Sequence, residues 1–257
     1  MTLSEQIVYG LIKPSRYGEL IKLKKGRFAT YTVVMMLALS IITFAIPIAA
    51  IITGFGGFEK LFSKNMASIE YSEGELSIEK PFEMSVGYLN IIIDTENAMV
   101  SKDELKRDGI YYTFGKEKFN LVYIVGKQVL SEQSLPVSQI FHEGFNNKSL
   151  IDSIPGIYAA LVAAFFAVAV GYFLKYGFFA LILALCVKSI NRRLEINLSF
   201  GELFMICFYS QSLFMFINNI NAALGFLPSA ILSIIGFFVA INFVSTALIT
   251  ISKTKQV

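Results

Sequence analysis

His142 is the only histidine of the chain, and Glu143 follows it. A zinc hydrolase of the H-E-x-x-H type needs two imidazoles one helical turn apart, with the glutamate as base. "HEGFN", His142 to Asn146, lacks the second imidazole. A Ser-His-Asp triad would also have to use His142, and no G-x-S-x-G turn offers it a nucleophile. His142 therefore reads as an exposed loop residue. Cys186 and Cys207 sit in apolar runs without zinc spacing, so they read as two reduced thiols used as small apolar side chains. "GFGGF" from Gly54 follows an apolar helix rather than a strand, and no phosphate-binding G-x-x-x-x-G-K-[ST] occurs. The sequence predicts a non-enzymatic protein without a catalytic group, a metal or a cofactor.

Polar residues at particular places are the remaining candidates. Asp94 ends an apolar strand and precedes Thr95. It reads as a turn-former closing the strand or as a ligand or partner contact. Asp94, Glu96, Asp103 and Glu104 could share a divalent cation, although no EF-hand spacing joins them. Gln211 and Asn218 lie seven apart on one helical face, with Asn221 a turn further on and Asn242 in the next helix. Amides within lipid need partners, so these either hydrogen-bond between helices or line a polar path. Lys175 is the one cation in a long apolar run, and an ionisable residue there is functional by default. The alternatives are snorkelling toward the cytosolic interface and pairing with Glu202.

Small residues form two series. Ala159, Ala163, Ala167 and Gly171 are strictly four apart. Ser229, Ser233, Gly236, Ala240 and Ala247 follow at intervals of four, three, four and seven. Such spacing lets helices approach closely in lipid, within the chain or against a second copy or a partner.

The elements that carry these residues follow from hydropathy. Of 257 residues 55% are hydrophobic and only 16% charged, below the roughly 25% of soluble domains. Residues 1–27 are basic and amphipathic and predict a cytosolic interfacial segment. Residues 28–53, 154–187, 200–224 and 229–251 are four apolar segments, each long enough to cross about 30 Å of hydrocarbon. Pro47 predicts a kink in the first, and the second is overlong. Residues 54–153 alternate like strands, with a tight turn at Ser72–Gly74 and a hairpin at "FGKEK". Ser101 to Glu104 is a capping-box pattern that predicts a short helix.

Charge orients the whole. Residues 1–53 hold six Lys/Arg and two acids, residues 54–153 ten and fifteen, and residues 154–257 six and two. The basic N-terminal segment, the loop 188–199 and the tail after Ile251 then share the cytosolic side. The acidic 54–153 segment and the 225–228 turn lie on the other. The expected fold is an α-helical integral membrane protein with four transmembrane helices and an inserted extracytoplasmic α+β domain between the first two. The bilayer is its first partner, and a membrane-protein partner or a homo-oligomer the second. The Lys22–Arg27 cluster abuts the first span, so anionic lipid rather than nucleic acid is its expected contact.

This layout, with "LIKPSRYGELIKLKKGR", "IEYSEGELSIEKP" and "IIIDTEN" in order, resembles DUF1189. That is an uncharacterised family of multi-pass membrane proteins of low-GC Gram-positive bacteria. Gly74, Leu76, Ile91, Ile92, Ile93, Asp94 and Thr95 carry the resemblance. The C-terminal spans also look loosely like a Yip1-type membrane domain. A maltodextrin-utilisation label on some members implies a link to sugar uptake, and the family supplies no established catalytic residues. The expected role is accessory or sensory, with a ligand- or partner-binding outer domain. The alternative is a transporter component with a path along the third span.

Overall fold

In the computed structural model the described residues are 1–86, 89–101, 105, 107–126, 128–224 and 229–255. The expected helix at Ser101–Glu104 and the 225–228 turn fall largely or wholly outside them. Two compact units emerge: residues 1–45 with 163–257, and residues 46–162.

The first unit is helical. Helix α1 (Leu3–Ile12) starts on a reciprocal cap, Thr2 accepting from the Glu5 amide while the Glu5 carboxylate accepts from the Thr2 amide. Those bonds hold the Glu5 carboxyl below the usual carboxylate range. After the short α2 (Tyr17–Leu20), helix α3 (Lys25–Gly54) is the first long apolar helix. Its Ile41–Ala45 stretch is a π turn directly ahead of Pro47. Proline has no N–H and crowds the carbonyl four residues back, and a widened turn relieves both problems. Helix α5 (Ile154–Arg193) is the second long apolar helix, and it follows α4 (Asn147–Asp152). The third predicted span is two helices, α6 (Phe200–Ser210) and α7 (Ser212–Leu224), broken at Gln211. Helix α8 (Ser229–Lys255) is the fourth. Among the described residues four helical stretches are thus long and apolar enough to cross a membrane.

The second unit holds two sheets. Strands β1 (Ile69–Ser72), β2 (Glu75–Ile78) and β8 (Phe145–Asn146) form an antiparallel sheet in the order β2-β1-β8. Glu73 and Gly74, with φ of 55° and 85°, make the β1–β2 turn. Left-handed backbone at both central residues matches the twist of the two strands. Strands β3 (Phe82–Val86), β4 (Leu89–Ile93), β5 (Gly109–Phe114), β6 (Lys118–Val125) and β7 (Gln128–Pro136) form the larger sheet in sequence order. Only β4 and β5 run parallel in it. The β5–β6 hairpin needs Gly115, since a Cβ there would lie 2.5 Å from the Ala98 carbonyl oxygen. Leu61, Ile69, Tyr71, Leu76 and Val137 centre one core of this unit, and Tyr111, Val122 and Ile124 a smaller one.

Candidate functional site

On the larger sheet, β3, β4, β5 and the residues just after β4 and just before β5 line an open cleft of about 660 Å³. Glu83, Ser85, Asn90, Asp94, Arg107 and Tyr111 contribute its polar lining. Register explains the grouping. Ser85 faces Asn90 across the β3–β4 ladder, and Asn90 faces Tyr111 across the β4–β5 ladder. Ser85 Oγ donates to Asn90 Oδ1 at 2.7 Å. Tyr111 Oη accepts from the Arg107 amide at 3.1 Å and donates to the Arg107 carbonyl at 2.9 Å, which fixes that backbone beside the cleft.

Asp94 takes the turn-forming role and sits at the cleft. Its amide donates to Phe114 O and its Oδ1 accepts from the Glu96 amide at 3.0 Å, so it closes the strand; it also lines the cleft. Glu96 is not in the lining, and Asp103 and Glu104 lie outside the described residues. His142 is exposed, edge-on to Phe145, and away from the cleft. Two carboxylates, a guanidinium, an amide and two hydroxyls can accept from and donate to a polar, hydroxyl-rich ligand. Sequence reasoning reached only Asp94. The signal for Asn90 was there, one amide inside the apolar strand "LNIII", and such a residue is buried only with a partner.

The helical unit has its own polar arrangement. Gln6 is 1% exposed, and its Nε2 donates to Tyr209 Oη at 2.7 Å and to Arg27 O at 3.3 Å. Tyr17 Oη donates to Gly10 O at 2.8 Å, and Tyr31 Oη to Ser212 Oγ at 2.6 Å. The Tyr31 and Tyr209 rings lie 4.7 Å apart. Burial pushes the Tyr17 phenol well above its ordinary pKa. Helix α1 is therefore docked into the helical core through Gln6 and Gly10, while Val8 and Ile12 stay exposed.

The third span's amides divide. Gln211 Nε2 donates to Cys207 O of its own helix at 3.0 Å. Asn219 makes the interhelical bond, Nδ2 donating to Tyr176 Oη of α5 at 2.9 Å and to Met215 O at 2.7 Å. Among the described residues Asn218 Oδ1 is buried without a hydrogen-bond partner, Asn221 is buried, and Asn242 is exposed. Both cysteines are free thiols.

The two small-residue series also part. Gly236, Ala240 and Ala247 are buried, and a Cβ on Gly236 would overlap the Phe214 ring at 1.9 Å. Ser233 is exposed. Ala159, Ala163, Ala167 and Gly171 are all exposed, and a Cβ on Gly171 would meet nothing within 4 Å. The buried side of α5 is instead Ala169, Tyr176, Ala180, Leu183, Ala184 and Val187. Lys175 is exposed, its ammonium 5.3 Å from the Tyr176 ring centroid. It does not pair with Glu202, whose carboxylate accepts from the Ser199 amide and hydroxyl at 2.7 Å each.

Set beside known proteins, the chain matches one family model over residues 5–250, described as a protein of unknown function (DUF1189). No curated protein and no solved structure matches it.

Proposed function

The chain belongs to the DUF1189 family, and we propose that it is a non-enzymatic accessory or sensory protein of the bacterial cell membrane. In this reading the four long apolar helices cross the bilayer. The termini and the Lys188–Arg193 loop face the cytosol, and the sheet unit faces outward. The sheet unit takes up a polar ligand or partner in its cleft, and the helices dock on another membrane complex.

The observation that carries this reading is the cleft, where Glu83, Asn90, Asp94 and Arg107 converge on one concave surface. The maltodextrin link of the family resemblance makes a hydroxyl-rich sugar the first probe. Full-length protein in nanodiscs, titrated with maltoheptaose, is expected to bind saturably. Asp94→Ala and Arg107→Ala are expected to weaken that binding without lowering the melting temperature. Absence of binding to the unsubstituted protein would remove the sugar from the proposal. In-cell crosslinking followed by mild-detergent purification tests the accessory role. A near-stoichiometric membrane partner supports it, and self-association alone overturns it.

Asn218 Oδ1, buried and without a partner among the described residues, favours a second reading, a transporter component whose path runs along the third span. That reading requires Asn218→Leu or Gln211→Leu to abolish flux in liposomes while assembly survives.

A further inference from the structure

Lys175 has no carboxylate to meet within this chain's apolar helices. There is no Asp or Glu from Phe28 to Thr53, none from Ile154 to Arg193, and none after Glu202. Glu202 itself is bonded to Ser199. Nor does Lys175 reach the cytosolic border. Thirteen residues separate it from Lys188 on one helix, about 20 Å at 1.5 Å per residue, beyond the reach of a four-carbon stem. The bond Tyr172–Thr43 places this part of α5 alongside the interior of the first span, and Asn219–Tyr176 ties it to the third. A membrane that those spans cross therefore contains Lys175 within its depth.

The surface around Lys175 is open. Leu174 and Phe178 are 62% and 61% exposed, and Gly171 and Ala167 lie one and two turns away on the i±4 ridge. Small residues there admit a helix backbone at close range. A charge in that position is costly unless an opposite charge or a polar group covers it. A second copy of this chain is a poor cover. A twofold dimer through this face would bring two Lys175 ammoniums together and supply no acid.

We propose that the Ala167–Gly171–Lys175 ridge of α5 docks a transmembrane helix of a different protein, one that carries an Asp or Glu within its span to pair with Lys175. This rests on the accessory reading and specifies its contact surface.

The test uses the tagged full-length protein in native membranes, with a photoreactive phenylalanine at Leu174 or Phe178. The proposal expects crosslinks to one membrane protein, within a span that contains an acidic residue. Lys175→Glu is expected to lower the yield about tenfold, a change of 1.4 kcal/mol in binding. Changing the partner's acid to lysine is expected to restore it. Lys175→Arg keeps the charge and is expected to retain the crosslink, which separates pairing from folding. Crosslinks only to lipid or to a second copy, a partner span without an acid, or a yield unmoved by Lys175→Glu would each overturn the proposal. A partner that still co-purifies with Lys175→Glu overturns this surface and leaves the accessory reading standing, whereas no partner with the unsubstituted protein overturns both.

Discussion

The second and third apolar helical stretches invert the rule of soluble cores. The most apolar window of Ile154–Arg193 has mean hydropathy 2.3 and is 6% buried, whereas that of Phe200–Asn221 has mean hydropathy 1.5 and is 50% buried. Water would drive the greasier helix inside. In a bilayer that drive would be absent, and the polar groups of a span would seek partners in the protein instead. Asn219, Ser212 and Tyr209 find those partners on α5, α3 and α1. Helix α5 keeps its apolar side outward, with Lys175 beside the Tyr176 ring as the one cation within its apolar run.

Substitutions at two glycines test this contrast most strongly. Gly236→Ala drives a methyl into the Phe214 ring and should cost about 1–3 kcal/mol, read as a lowered melting temperature in detergent. Gly171→Ala enters open space and should leave stability unchanged or slightly raised. Equal losses at the two sites would break the distinction between packed and unpacked helices. Next, Asn219→Leu should cost on the order of 1 kcal/mol through its lost bond to Tyr176, while Asn242→Leu should cost nothing measurable.

Tyr209→Phe should have a smaller global effect, because it removes one anchor of α1 and leaves Gln6 bonded to Arg27 O. Faster hydrogen exchange across residues 3–12 would check it. The smallest effect belongs to the sheet unit. The Glu75 carboxylate bonds Lys116 and raises its pKa. A raised pKa stabilises the fold below the lysine's unfolded value, and this contribution is lost as pH rises through the folded value. Both groups are exposed, so the loss above about pH 10 should be slight and weakened by salt. Lys116→Gln should abolish it.

What could be read from sequence tracks the strength of local periodicity. The four apolar stretches and the β1–β2 and β5–β6 hairpins were legible, since long runs and Gly-containing turns are local signals. Strand β7 was not. "QVLSEQSLP" is exposed along its whole length, so it lacks the alternation that marks a half-buried strand. Strand β3 was hidden beside the turn-like "EKP". Gln6 and Gly10 read as the polar and neutral members of an amphipathic helix, and only the tertiary contact with Tyr209 and Tyr31 makes them the buried ones. Asp94 was legible because it interrupts an apolar run. Glu83 and Arg107 reach the same cleft by strand register, which no local pattern encodes.

Topology decides most directly whether the sheet unit faces outward. Lys80→Cys and Glu195→Cys, each placed singly in a background with Cys186 and Cys207 replaced by serine, should be probed in intact cells with a membrane-impermeant maleimide. An outward-facing sheet unit predicts labelling at position 80 from outside and at position 195 only after permeabilisation. The reverse pattern would contradict it.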